Sequence, residues 1–165
     1  MRRLFSLLIS VAVAAFLVAL SFALLPTTTR AITAVTATQE DAAMVEKGRY
    51  LAIAGDCVAC HTAAGGQPFA GGLAMASPIG IIHSSNITPD RDTGIGRYSL
   101  NDFDRALRYG VSPSGNTLYP AMPYPSYARL RDEDVLALYV YFMHGVAPVH
   151  ATNHAIDIRW PLSMR

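Results

Sequence analysis

The sequence predicts an all-α domain of about three main helices and long loops, preceded by an N-terminal hydrophobic helix. Three observations predict it. Helix signals recur around residues 41–54, 99–110 and 132–145, each closed by a glycine (Gly55, Gly110, Gly145). Between them the chain shows little regular periodicity, above all from Thr62 to Tyr98. The two cysteines of the chain, Cys57 and Cys60, fall together behind the first of these helices, directly before His61.

At the N-terminus, Arg2 and Arg3 precede an uncharged run from Leu4 to Leu25. At about 1.5 Å per residue such a helix spans roughly 33 Å, the thickness of a bilayer core. The arginines would stay cytoplasmic while the remainder crosses. Residues 1–37 therefore read either as a cleaved signal peptide or as a retained membrane anchor. The small-residue sites Ser21-Phe22-Ala23 and Val35-Thr36-Ala37 are imperfect cleavage signals. Both readings put the rest of the chain outside the cytoplasm.

The first domain helix runs from about Asp41 to Ala54, offering Met44, Tyr50, Leu51 and Ile53 as apolar surface, with Gly48 permitting close helix contact. One further turn carries Cys57 to His61. The second helix opens on a capping box, Ser99-Leu100-Asn101-Asp102, and lays Leu100, Phe103, Ala106 and Leu107 on one face. The third begins near Asp132, where Glu133 and Asp134 suit the positive end of the helix dipole, and continues through Phe142. The first and last helices are expected to cross and close a domain of residues 40–148. Residues 149–165, with Trp160-Pro161, read as a C-terminal strap or linker.

Composition excludes several classes. Lys and Arg total 13 against 12 Asp and Glu, and Lys47 is the one lysine. Without Arg2, Arg3 and Arg30 the exported part would carry about −2, so the basic face of a nucleic-acid binder is missing. With 52% apolar residues the chain has material for a core and is not disordered. Two cysteines cannot make a disulfide-dense scaffold.

Cys57-Val58-Ala59-Cys60-His61 is the C-x-x-C-H pattern of c-type haem attachment. Its spacing lets both thiols reach the two vinyl groups on one edge of a porphyrin, and the next residue, His61, then offers a nitrogen to the iron. A redox-active C-x-x-C would sit in a β-α-β context that is lacking here. A zinc site would need a second ligand pair, where only the scattered His83, His144, His150 and His154 are at hand, and a plain disulfide leaves His61 unexplained. One covalent haem c also accounts for the loops. With 12 glycines in a chain this short, an apolar macrocycle gives them a core to wrap.

One bond to His61 leaves the iron's other face open to a second ligand. Met122 is the leading candidate, within Tyr119-Pro120-Ala121-Met122-Pro123-Tyr124-Pro125, where the prolines would hold the sulfur in a stiff, extended loop. Met75, behind the flexible Gly71-Gly72, is the rival, and methionine as plain core filling is the bland alternative. Arg91, Arg97 and Tyr98 are candidates for the haem propionates or simply a solvated loop face. The four scattered histidines receive no role.

Several stretches together carry a resemblance: Gly48-Arg49-Tyr50-Leu51, the Gly55 to Thr62 run, Phe69-Ala70-Gly71-Gly72, Asn86-Ile87-Thr88-Pro89-Asp90, Thr93-Gly94-Ile95-Gly96, Tyr119 to Tyr124, and Tyr141 to Val146. The chain resembles the first haem domain of the cytochrome c subunit of bacterial membrane-bound alcohol, aldehyde and gluconate dehydrogenases. The resemblance implies a cytochrome c fold, haem ligation by Cys57, Cys60, His61 and Met122, and electron transfer on the periplasmic side of the inner membrane. It implies as partners a catalytic subunit of pyrroloquinoline quinone, flavin or molybdenum type, a downstream quinone or cytochrome acceptor, and membrane association. Members usually carry three C-x-x-C-H motifs and this sequence carries one. Arg131 stands where the family commonly has a capping serine, which moves the expected N-cap to Asp132. The function expected is a one-electron carrier and not an enzyme. The alternatives are a first module of a three-haem subunit without independent activity, or a haem enzyme or sensor with an open iron.

Overall fold

The computed structural model describes residues 2–24, 31–32 and 42–158. Chain contacts divide it into residues 1–30 and 31–165. In the first unit Arg2–Leu24 is a helix, α1. The side chains described there, residues 9–18, 20 and 21, are exposed. Among the described residues no helix is long and apolar enough to cross a membrane, so the expected apolar leader finds no support in them. Asp41, the cleavage site at Val35-Thr36-Ala37 and the Trp160-Pro161 tail lie outside the described residues.

The second unit is built on α2 (Ala42–Ala54), a single turn α3 (Cys57–Cys60), α4 (Leu100–Tyr109), a short α5 (Tyr124–Tyr127) and α6 (Asp132–Val140), which continues as a π-turn over Tyr141–Gly145. Helix α2 packs on α6 at Gly48, where a Cβ would come within 2.0 Å of the Ala137 carbonyl oxygen. No other residue admits that approach. Lys47 Nζ meets Asp134 Oδ1 at 2.7 Å across the same contact. Around it gather Ala52, Ile95, Phe103, Val135, Leu138 and Phe142. Phe69 and Phe103 set their rings against Phe142 at 5.3 and 6.0 Å.

The capping box of α4 forms as the sequence predicts. Ser99 Oγ accepts from Asp102 N at 3.1 Å while Asp102 Oδ2 accepts from Ser99 N at 3.1 Å, and Gly110 ends the helix left-handed. The α6 cap does not. Arg131 holds the N-cap position and its side chain caps nothing, because it reaches on to Asp134 and Glu133. Asp132, the expected cap, gives its carboxylate to the buried Arg108, Nη1 to Oδ1 2.9 Å. A buried guanidinium requires a partner more urgently than an exposed helix end does. Arg108 also donates to the Leu130 carbonyl at 2.7 Å and lies 3.2 Å from Asp104.

The domain is not purely all-α. Strands β1 (Ala74–Ser77) and β2 (Gly80–His83) form an antiparallel hairpin around a Pro78-Ile79 turn, and β3 (Asp157–Ile158) pairs with β2. The pattern Ala-Met-Ala-Ser carries no hydrophobic alternation, so nothing in it marks a strand. Pairing comes instead from neighbouring backbone: Gly72 N donates to Ser84 O, and Ser84 N to Leu73 O, at 2.8 and 3.0 Å. At Gly80 (φ 144°) the Asp157 carbonyl passes so close that a Cβ would meet it at 2.0 Å. The segment before β3 is held by the loop of residues 86–93. Buried Asn86 donates to Val149 O (2.8 Å) and Thr93 Oγ1 (3.0 Å), and Asn153 Oδ1 accepts from Asn86 N (2.7 Å). Asn153 Nδ2 donates in turn to Thr93 O at 2.7 Å.

Candidate haem-attachment site

The chain leaves α2 through Gly55, whose N–H bonds Leu51 O at 2.8 Å, and turns at Asp56 in the left-handed region (φ 54°). Asp is one of the few side-chain-bearing residues that enters that region readily. The turn delivers Cys57 to Cys60 as one helical turn, closed by His61 N–H on Cys57 O at 3.0 Å. The two thiols and the imidazole are thereby displayed within five residues. The thiols are not joined to each other; Cys60 is exposed and Cys57 half-buried. Burial pushes the Cys57 thiol up to about 11, with the nearby Cys60 and Asp56 adding to the effect.

His61 is buried and oriented. Its Nδ1 lies 2.7 Å from the Ser85 carbonyl oxygen, an acceptor, so Nδ1 carries the proton. Burial pushes the imidazole below its ordinary range, which the Ser85 contact only partly opposes, so the ring is neutral. Nε2 is left with a lone pair, the state in which a histidine binds a metal, and the carbonyl behind it fixes the ring's direction. The hairpin supplies that carbonyl. Residues 72–73 pair with Ser84, and His61 O accepts from Gly71 N at 2.8 Å, so both ends of the His61–Ser85 contact rest on one backbone ladder.

Met122 is half-buried on a loop of a different shape from the one expected. The chain is folded, not extended. Ala121 N bonds Tyr119 O and Tyr124 N bonds Met122 O, at 2.8 and 2.9 Å. Pro123 (φ −78°, ψ 59°) sits at the centre of an inverse γ-turn, a conformation its ring angle suits. Tyr124 then opens α5. The prolines still stiffen the loop, through tight turns rather than length. Met75 is half-buried on β1 opposite Ile82.

Tyr127 joins the two segments, a connection no motif marks in the sequence. Its hydroxyl donates to Gly55 O at 2.9 Å, just ahead of the attachment turn. Burial raises the phenol, and the thiols of Cys57 and Cys60 raise it further. Arg97 is occupied elsewhere, donating to Arg91 O (2.6 Å) and Asp92 Oδ1 (2.7 Å). Tyr98 turns its carbonyl to the Tyr139 hydroxyl at 3.0 Å. Among the described residues no three His, Cys, Asp or Glu side chains gather to hold a metal ion directly.

A neutral, aimed imidazole one residue beyond two closely spaced thiols suits a macrocycle fastened at its edge, and defines a protein of the covalent-haem class. The chain belongs to the cytochrome c family, whose model matches residues 45–145. It is 67% identical over 127 residues to the gluconate 2-dehydrogenase cytochrome c subunit of Pantoea cypripedii, covering 77% of this chain and 29% of that protein. It is 59% identical over 125 residues to the cytochrome c subunit of the quinone alcohol dehydrogenase of Gluconobacter oxydans (strain 621H), covering 76% and 26%. The fructose dehydrogenase cytochrome subunit of Gluconobacter japonicus is 52% identical over 122 residues, covering 73% and 25%. The chain spans less than a third of the length of these relatives.

Proposed function

We propose that this domain is a one-electron carrier for a dehydrogenase, in which Cys57 and Cys60 would hold a single haem c covalently and His61 and Met122 would supply the protein ligands to its iron. The observation that carries the reading is the His61 ring, neutral and held by Ser85 directly after the paired thiols. When bound, the haem would supply reversible one-electron chemistry, and a soft thioether ligand would favour its reduced form. The chain's own part is positional. Ser85 keeps the imidazole proton on Nδ1. The Pro120 and Pro123 turns hold the Met122 sulfur, and Tyr127 ties their segment to the attachment turn. With both of these residues engaged, the group would offer no place for substrate, which favours carriage over catalysis.

The domain would work outside the cytoplasm, on the periplasmic side of the inner membrane. It would accept electrons from a catalytic subunit of pyrroloquinoline quinone, flavin or molybdenum type and pass them to a quinone or cytochrome. The names of the relatives support a dehydrogenase partner. Production in a periplasm equipped for haem attachment tests the reading: the denatured polypeptide should keep its haem colour on a gel. Loss of that colour with both cysteines intact would overturn it.

A further inference from the structure

We propose that His83 and His154 bind one divalent transition-metal ion, of the borderline kind represented by Zn²⁺, in a site distinct from that of His61. His83 lies on β2, on the sheet face that also carries the exposed Ala74, Ala76 and Ile81. His154 comes from the segment that leads into β3. Their ring centres are 5.0 Å apart and their planes meet at 40°, neither stacked nor edge-on. Two imidazoles sharing one ion have a definite spacing. With a metal–nitrogen bond of about 2.0–2.1 Å and the ring centre roughly 1.1 Å beyond it, the centres lie about 4.5 Å apart at a right angle and about 5.2 Å apart in a tetrahedron. The observed separation falls within that interval.

A second observation points the same way. His83 Nδ1 is buried and has no hydrogen-bond partner among the described residues. Orphaned buried nitrogens are rare because each forfeits its hydration for nothing, and an unseen ion is one of the few explanations for one. The pair is also held in place by independent bonds. Two strand pairings, Gly80 with Ile158 and Ile81 with Asp157, and the Asn153–Asn86 bond fix the chain on either side of His154. Little ordering is left for an ion to impose. His154 is exposed, so water would complete the coordination, and the affinity would be weaker than that of a closed four-ligand structural site.

The test uses the haem-loaded full chain, freed of metal by a chelator and titrated with zinc chloride by calorimetry. One saturable equivalent is expected, with a rise in thermal midpoint. His83→Ala and His154→Ala should each weaken binding at least tenfold, and His150→Ala should leave it unchanged. His154 is exposed, so its variant keeps the fold, and an unaltered haem spectrum in every sample verifies this. Absence of a saturable equivalent, or equal zinc affinity in His154→Ala and the parent chain, would overturn the site. Neither result bears on the haem reading, whose evidence is the colour of the denatured chain.

Discussion

His61 and the proposed ligand Met122 are held by different means, the first by a hydrogen bond to Ser85 and the second within tight proline turns. The sequence made both visible as residue types, since C-x-x-C-H and a proline-flanked methionine can be read without coordinates. It did not reveal Ser85, because a carbonyl acceptor is common to every residue and only the fold selects which one arrives. The Met122 assignment has a direct check. In the haem-loaded protein, Met122→Ala should abolish the methionine–iron charge-transfer band, lower the potential and admit carbon monoxide, while Met75→Ala should do none of these. A reversed pattern would reassign the ligand. Asp134 makes a second residue-scale prediction. Burial alone would push its carboxyl up, but hydrogen bonds and charge from Lys47 and Arg131 outweigh burial and hold it below its ordinary value. Its folded pKa is therefore lower than its unfolded one, near 3.9. Its stabilising contribution is complete above that value and is lost as pH falls towards the folded pKa. Acid unfolding followed by circular dichroism should thus be less steep below about pH 4 in Asp134→Asn, which starts from a lower stability at neutral pH.

Among the elements, those that the sequence announced are the ones whose instructions are local. The α4 capping box and its Gly110 stop were legible because cap chemistry lies within a few residues of the helix end. Replacing Ser99 by Ala should cost about 1 kcal/mol in denaturant unfolding. The hairpin, α5 and the third strand were not legible, for their determinants are distant backbone groups such as Asp157 against Gly80. Nor was the expected Asp132 cap correct, because Arg108, a full helix away, claims that carboxylate. The α2–α6 contact is the most exacting of the packed joints. Gly48→Ala should destabilise the domain by about 3 kcal/mol, since helix backbone and not a movable side chain blocks the new methyl. Tyr127→Phe keeps the ring and removes only the bond to Gly55. It should lower stability by about 1 kcal/mol. In the haem-loaded protein it should also weaken the methionine–iron charge-transfer band, because Tyr127 ties the Met122 segment to the attachment turn.

At the scale of the whole molecule, charge is nearly balanced, with a formal net of +1 over the full chain. Near the attachment turn the surface is apolar instead: Tyr50, Ile53 and Val58 are 67%, 61% and 39% exposed. Recognition of a redox partner should then depend on short-range contact. The electron-transfer rate with a dehydrogenase should change little between low and physiological salt, because screening acts on exposed charge. A tenfold fall would instead indicate long-range steering. The bonds that bring residues 149–153 back onto the Asn86–Thr93 loop also impose an order in time. Translation proceeds at about 5–20 residues per second, so the roughly 90 residues between the thiols and that returning segment take on the order of 4 to 18 s to appear. For that interval Asn86, later buried, has neither Val149 nor Asn153 to bond, and the hairpin carrying Ser85 lacks its third strand. The attachment turn, whose own closing bond spans only Cys57 to His61, is complete long before. The newborn chain therefore presents its two thiols while the fold around them is still open, and residues 149–158 shut it when they arrive.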